Sequence, residues 1–192
     1  MPTPDPRHAL KRALRPPEQA GLDAPRQGAA LPGAVGHGAA RPDAAPWRVT
    51  VLGVGSELRS DDAAGVRVAA AIERLHLPGV SALDGGSAPE NCTAELRRIS
   101  PSHLVIVDCA QMGEAPGTVR IIDSSDIGGV SFGTHALPLS VLADYVAREV
   151  GCRVTVIGIQ PATIEFGEGL SPAVSAAVRE VTLLLRECLA EQ

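Results

Sequence analysis

The residues of this chain whose types and placement could do chemistry are two adjacent aspartates, Asp61 and Asp62, a third aspartate, Asp108, and a histidine, His135. Asp62, Asp108 and His135 offer two hard carboxylates and one imidazole. That donor set suits a borderline divalent ion such as Ni(II), Zn(II) or Fe(II) with open coordination positions, rather than a closed thiolate site. Each residue also has a plainer reading. One of Asp61 and Asp62 reads as a helix N-cap, worth about 1 kcal/mol. An Asp ending a parallel strand can serve only to cap a neighbouring loop, and a lone His before a helix is more often a satisfied polar group than a ligand.

Two other chemistries are less well served. Gly53-x-Gly55 follows a strand-like segment and precedes a helical one, as a dinucleotide fingerprint requires. The third glycine position is Leu58, however, and Asp61 and Asp62 would meet a pyrophosphate where binding needs backbone N–H groups and positive potential. The one G-x-S-x-G string, Gly129-Val130-Ser131-Phe132-Gly133, falls in a stretch that reads as a glycine-rich loop rather than at the sharp strand-to-helix turn a nucleophile elbow requires. Ser56, Ser60 and Ser87 have no evident base beside them, and Asp108 next to Cys109 raises a thiol pKa rather than activating it.

The elements that must position these residues alternate. Arg48–Val54 is short, β-branched and bounded by glycine, which predicts a buried strand. Asp62–Leu75 carries Ala64, Val68, Ile72 and Leu75 on one helical face. Val80–Leu83 predicts a second strand, running into Asp84-Gly85-Gly86, and Pro89–Ser100 a second helix with Arg97 and Arg98 in its last turn. His103–Val107 predicts a third strand ending at Asp108, and Thr118–Ile122 a fourth. Ser124–Gly133 reads as a glycine-rich loop, and residues 138–150 as a helix marked by Leu139, Leu142, Val146 and Val150. Arg153–Ile159 predicts a fifth strand. Ser171-Pro172 opens a last helix whose core face is Val174, Val178, Val181, Leu185 and Cys188. The pattern is that of an α/β protein with a mostly parallel five-stranded sheet covered by helices on both faces. In such sheets ligands bind beyond the carboxyl ends of the strands, where Asp62 and Asp108 fall. Asp84 and Glu90 are second choices at the same edge, and Gln160 and Glu165 border it.

Residues 1–46 differ from the rest. They hold 9 of the 16 prolines, and 6 Lys and Arg against 4 Asp and Glu. With no periodic apolar pattern they read as a disordered tail, ahead of one α/β domain over residues 47–192. A short helix over Arg7–Arg15 has nothing obvious in the sequence to pack on. The basic residues there are not followed by an apolar segment of signal-peptide length, so no secretory signal is expected. Four cysteines without a C-x-x-C pair point to free thiols in a reducing, cytoplasmic setting. A formal charge of −5 and only 2% aromatic residues argue against a nucleic-acid binder, and no apolar run is long enough to span a membrane.

Five stretches, VLGVGSELRSDDAAGV, DGGSAPEN, HLVIVDCAQMGEAPGTVRIID, THALPLSVLADY and VIGIQPATIEFG, together resemble the [NiFe]-hydrogenase maturation endopeptidases. The likeness spans Val49 to Leu189. It is greatest to the subgroup that processes the large subunit of formate-hydrogenlyase-type hydrogenases. The resemblance implies a twisted sheet between helices and an aspartyl-type endopeptidase. It also implies removal of a C-terminal extension from the large-subunit precursor once nickel has been inserted. Nickel would be supplied by the substrate, with no tightly held metal in the free enzyme. The family's nickel-reaching positions match Asp62, Asp108 and His135 here. The chain departs from the family where Ser56 replaces an asparagine and where SDDA replaces GDDG, so that Ser60 and Ala63 stand for glycines. Two alternatives remain at this stage: a non-catalytic, nickel-checking docking protein of the same fold, and a metallohydrolase with its own ion.

Overall fold

The computed structural model of the chain describes residues 6–14, 47–122, 131–132 and 138–190. Its centre is a sheet built from β1 (Val49–Val54), β2 (Val80–Gly86), β3 (His103–Gln111), β4 (Val119–Ile122) and β6 (Arg153–Ile159), in the order β2-β1-β3-β6-β4. The pairs β1–β2, β1–β3 and β3–β6 are parallel, and β4 closes the edge antiparallel to β6. A two-residue strand, β5 (Ser131–Phe132), pairs antiparallel with Gln111 and Ala110 at the end of β3.

Every residue of β1 is buried, because both faces of the sheet are covered. On one face α1 (Pro6–Ala13), α2 (Ala64–Glu73) and α5 (Pro172–Ala190) pack over Val51, Val105, Val107, Ile157 and Ile159. On the other, α3 (Thr93–Ile99) and α4 (Leu139–Glu149) pack over Leu52, Val54, Leu104, Ile106 and Val156. Neighbouring strand residues thus feed opposite cores, the period-two arrangement expected of a strand.

The mostly parallel five-stranded sheet agrees with the sequence reading, and three local expectations are corrected. β3 continues through Gln111 instead of stopping at Val107, so Asp108 lies within a strand, opposite Gly158 of β6. The apolar run ends at Val107, but pairing with β6 and then β5 carries the strand onward. Of the predicted loop Ser124–Gly133, residues 131–132 form β5, and the remainder lies outside the described residues. The tail is not structureless throughout: Leu10 of the first helix and Leu14, just past its end, are buried in the core with α5. A two-leucine stripe among so many prolines gave the sequence reading too little to place that helix. Residues 15–46 lie outside the described residues.

Candidate active site

The chain leaves β1 through α2 on one face to reach β2, then returns through α3 on the other face to β3, on the opposite side of β1. The point between β1 and β3 is therefore the topological switch point, where a crevice opens beyond the strand ends. Pairing of β3 with β1 stops at Val107, opposite Gly53, so Asp108 is the first β3 residue that β1 does not cover. Its Oδ1 accepts a 2.7 Å hydrogen bond from the Cys109 N–H, and the residue is fully buried.

Asp61 and Asp62 enter from the other wall. They sit in a 3-10 turn, Ser60–Ala63, that packs against β3 and leads into α2. Asp62 Oδ2 accepts the Ser56 N–H at 2.9 Å, its one side-chain hydrogen bond among the described residues. The turn fits only because residue 55 is glycine. Gly55 has φ +132°, and a Cβ there would lie 1.7 Å from the Asp62 carbonyl oxygen.

The neighbouring carboxylate has a different task. Asp61 Oδ2 accepts the N–H groups of Ala162 and Thr163 at 2.9 and 3.2 Å, and Oδ1 accepts that of Ser171 at 2.6 Å. Asp61 is thus the clasp that holds residues 161–171 against the turn, while Asp62 points its chemistry elsewhere. The N-cap reading fails for both, since no side-chain cap bond is made at either helix start.

Cys109 reports how closely the acids gather. Burial, followed by the charges of Asp108, Asp62 and Asp61, pushes its thiol far above the usual range. A thiol in that field stays protonated, which argues against a cysteine nucleophile and agrees with the sequence reading. The field of buried carboxylates favours a cation.

The structure thus brings Asp62 and Asp108 to the same end of β3, around Cys109, whereas His135 lies outside the described residues. Among the described residues no three His, Cys, Asp or Glu side chains come together as a metal site. Asp84 is exposed and accepts the Gly86 N–H at 2.8 Å, and Glu90 is half-buried on the turn Pro89–Cys92. Asp84 lies near the end of β2 and Glu90 follows it, with β1 between that strand and Asp108. Gln160 is a clamp: its Oε1 accepts the Met112 and Glu114 N–H groups, and its Nε2 donates to Gln111 and Pro161. Glu165 is exposed on the loop clasped by Asp61.

Of the departures from the family pattern, Ala63 sits in ordinary right-handed backbone, with φ −69° and ψ −6°. Ser60 takes a left-handed conformation, φ 48°, that suits glycine better; its Oγ offsets part of the strain by donating to the Glu165 carbonyl at 3.1 Å. Sequence reasoning missed the Ser56 N–H and the split between the two aspartates, because both depend on contacts to remote backbone.

Fold and site together define a doubly wound α/β protein with buried carboxylates gathered at its switch point. Residues 66–187 match the family model HycI, hydrogenase maturation protease, a span that contains Asp108 and His135 and begins just after Asp62. The chain is 36% identical over 132 residues to the Hydrogenase 3 maturation protease of Escherichia coli K12, covering 68% of this chain and 84% of that protein. It is 32% identical over 152 residues to the Hydrogenase 2 maturation protease of the same organism, covering 73% and 92%. The crystal structure of the [NiFe] hydrogenase maturation protease HycI from Thermococcus kodakarensis is similar with a TM-score of 0.68 at 31% identity, over 74% of this chain and 92% of that one. The chain belongs to the hydrogenase maturation protease family and is a peptidase.

Proposed function

We propose that this peptidase removes the C-terminal extension of a [NiFe]-hydrogenase large-subunit precursor after nickel insertion, and that the nickel held by the precursor is the feature it recognises. The HycI match and the motif likeness favour a large subunit of the formate-hydrogenlyase type. The observation that carries the reading is the gathering of buried Asp62 and Asp108 around Cys109 at the switch point. Hard carboxylates together with one imidazole, contributed by His135, complete the coordination of a borderline divalent ion presented by another polypeptide.

The ion belongs to the substrate, and the free enzyme keeps no metal of its own. A precursor without nickel would present cysteine thiolates to a carboxylate-lined crevice, and like charges would repel. Hydrolysis then needs an activated water. Either the substrate's nickel acts as Lewis acid, or Asp62 or Asp108 takes the proton. None of the four cysteines is joined in a disulfide, in keeping with action in a reducing cytoplasm, and no helix among the described residues is long and apolar enough to cross a membrane.

The test is a cleavage assay on nickel-loaded precursor, read by mass spectrometry. The wild type shortens the precursor, whereas Asp62→Ala, Asp108→Ala and His135→Ala leave it intact while remaining folded by circular dichroism. Full processing by all three variants removes the proposal. An intact precursor held in complex by the wild type indicates a docking protein instead. Stoichiometric metal in protein purified without precursor indicates a resident ion.

A further inference from the structure

We infer that Leu58 and Phe166 form a docking point for an apolar side chain of the precursor segment flanking the scissile bond. The inference rests on the processing reading above and adds to it where the substrate chain is held. Phe166 is 84% exposed and Leu58 56%, the two most exposed large apolar side chains among the described residues. They are remote in sequence and adjacent in structure. The Gly167 N–H donates to the Leu58 carbonyl at 3.0 Å and the Ser60 N–H to the Gly167 carbonyl at 2.8 Å, forming a parallel bridge between Arg59 and Gly167. That isolated bridge sets the backbones of Leu58 and Phe166 next to each other, with both side chains exposed.

The loop that carries Phe166 is not free to fold the ring inward. Asp61 holds it through Ala162, Thr163 and Ser171, and the Arg59 guanidinium donates to the Ile164 carbonyl at 3.2 Å.

Its place says what binds there. The Asp62 N–H donates to the Arg59 carbonyl at 3.0 Å, so the bridge and the proposed catalytic carboxylate belong to one turn of chain. A peptidase must hold the polypeptide on either side of the bond it cuts, and an extended chain advances only about 3.3 Å per residue. A precursor segment engaged at Asp62 therefore passes the Leu58–Phe166 pair within a few residues. An apolar side chain at that position covers both.

The experiment compares wild type with Leu58→Ser, Phe166→Ser and Phe166→Leu, measuring cleavage kinetics and direct binding of nickel-loaded precursor in parallel. Both side chains are exposed, so the variants are expected to fold, which their thermal midpoints check. The serine variants are expected to bind precursor about tenfold more weakly, seen in KM rather than kcat, and Phe166→Leu to recover most of the loss. Weaker binding by the serine variants supports the docking point whether or not the wild type turns over. Equal KM and equal binding overturn it, and wild-type cleavage in that case leaves the processing reading standing. A wild type that neither binds nor cleaves the precursor overturns both.

Discussion

A Cβ at Gly65 would lie 2.1 Å from the carbonyl oxygen of Val107, so the first turn of α2 rests on the backbone of β3 one residue before Asp108. The same helix turn meets β1, since a Cβ on Gly53 would come within 2.3 Å of the Gly65 carbonyl oxygen. This seating brings the Asp62 turn to the Asp108 strand. Gly65→Ala forces backbone apart, and we expect a loss of about 3 kcal/mol or more, with reduced processing by the protein that still folds. Chemical denaturation checks the first expectation; a variant as stable as wild type would show that α2 sits farther from β3.

Adjacent aspartates should separate stability from activity. Asp61→Ala leaves the N–H groups of Ala162, Thr163 and Ser171 without their acceptor, and a loss of about 2–4 kcal/mol is expected. Asp62→Ala gives up one hydrogen bond to Ser56 and is expected to cost less stability while ending precursor cleavage. Denaturation and cleavage assays run on both variants check the split. Equal stability losses would mean that the two carboxylates share the clasp.

Acid should weaken the fold through His103, at the sheet edge opposite the site. The ring donates or accepts at Thr155 Oγ1 over 2.9 Å, meets Trp47 edge-on and lies beside the Arg153 guanidinium. Burial, then the Arg153 charge, lowers its pKa from 6.5 to about 3. Between those values the unfolded chain binds a proton that the folded chain refuses, so stability present above pH 6.5 is lost as the pH falls toward 3. The contribution is roughly 1 kcal/mol per pH unit in that window. Denaturation at pH 7 and about pH 4.5 should show a smaller difference in His103→Gln than in wild type, and an unchanged difference would exclude His103 as the source.

Cys109 should be inert. Its buried thiol, raised by burial and by the three aspartates, offers almost no thiolate near neutral pH. Iodoacetamide is expected to leave it unmodified in the folded protein, and Cys109→Ala is expected to process precursor at close to the wild-type rate. Loss of processing in a folded Cys109→Ala protein would reopen a thiol mechanism.

Much of this protein was legible without coordinates, because its strands and helices announce themselves by period. Val49–Val54 and Arg153–Ile159 are short β-branched runs bounded by glycine or polar residues, and both are strands. The stripe through Val174, Val181, Leu185 and Cys188 is a helix of 19 residues. Asp62 and Asp108 could be singled out because each follows the apolar run of a strand, and in a parallel sheet strand ends share an edge.

What the chain's own text determined, then, was the alternation of elements, the family likeness, and the chemical types available at the strand ends. Tertiary structure alone decided that Asp61 is a clasp while Asp62 takes the Ser56 N–H, that β3 runs on past Asp108, that Leu10 and Leu14 join the core, and that a backbone bridge sets Leu58 next to Phe166. The physical reason is common to all four. Period and propensity are local, acting over a few residues, whereas each of these outcomes depends on backbone groups or core surfaces many positions away in sequence, which only the packed sheet brings together.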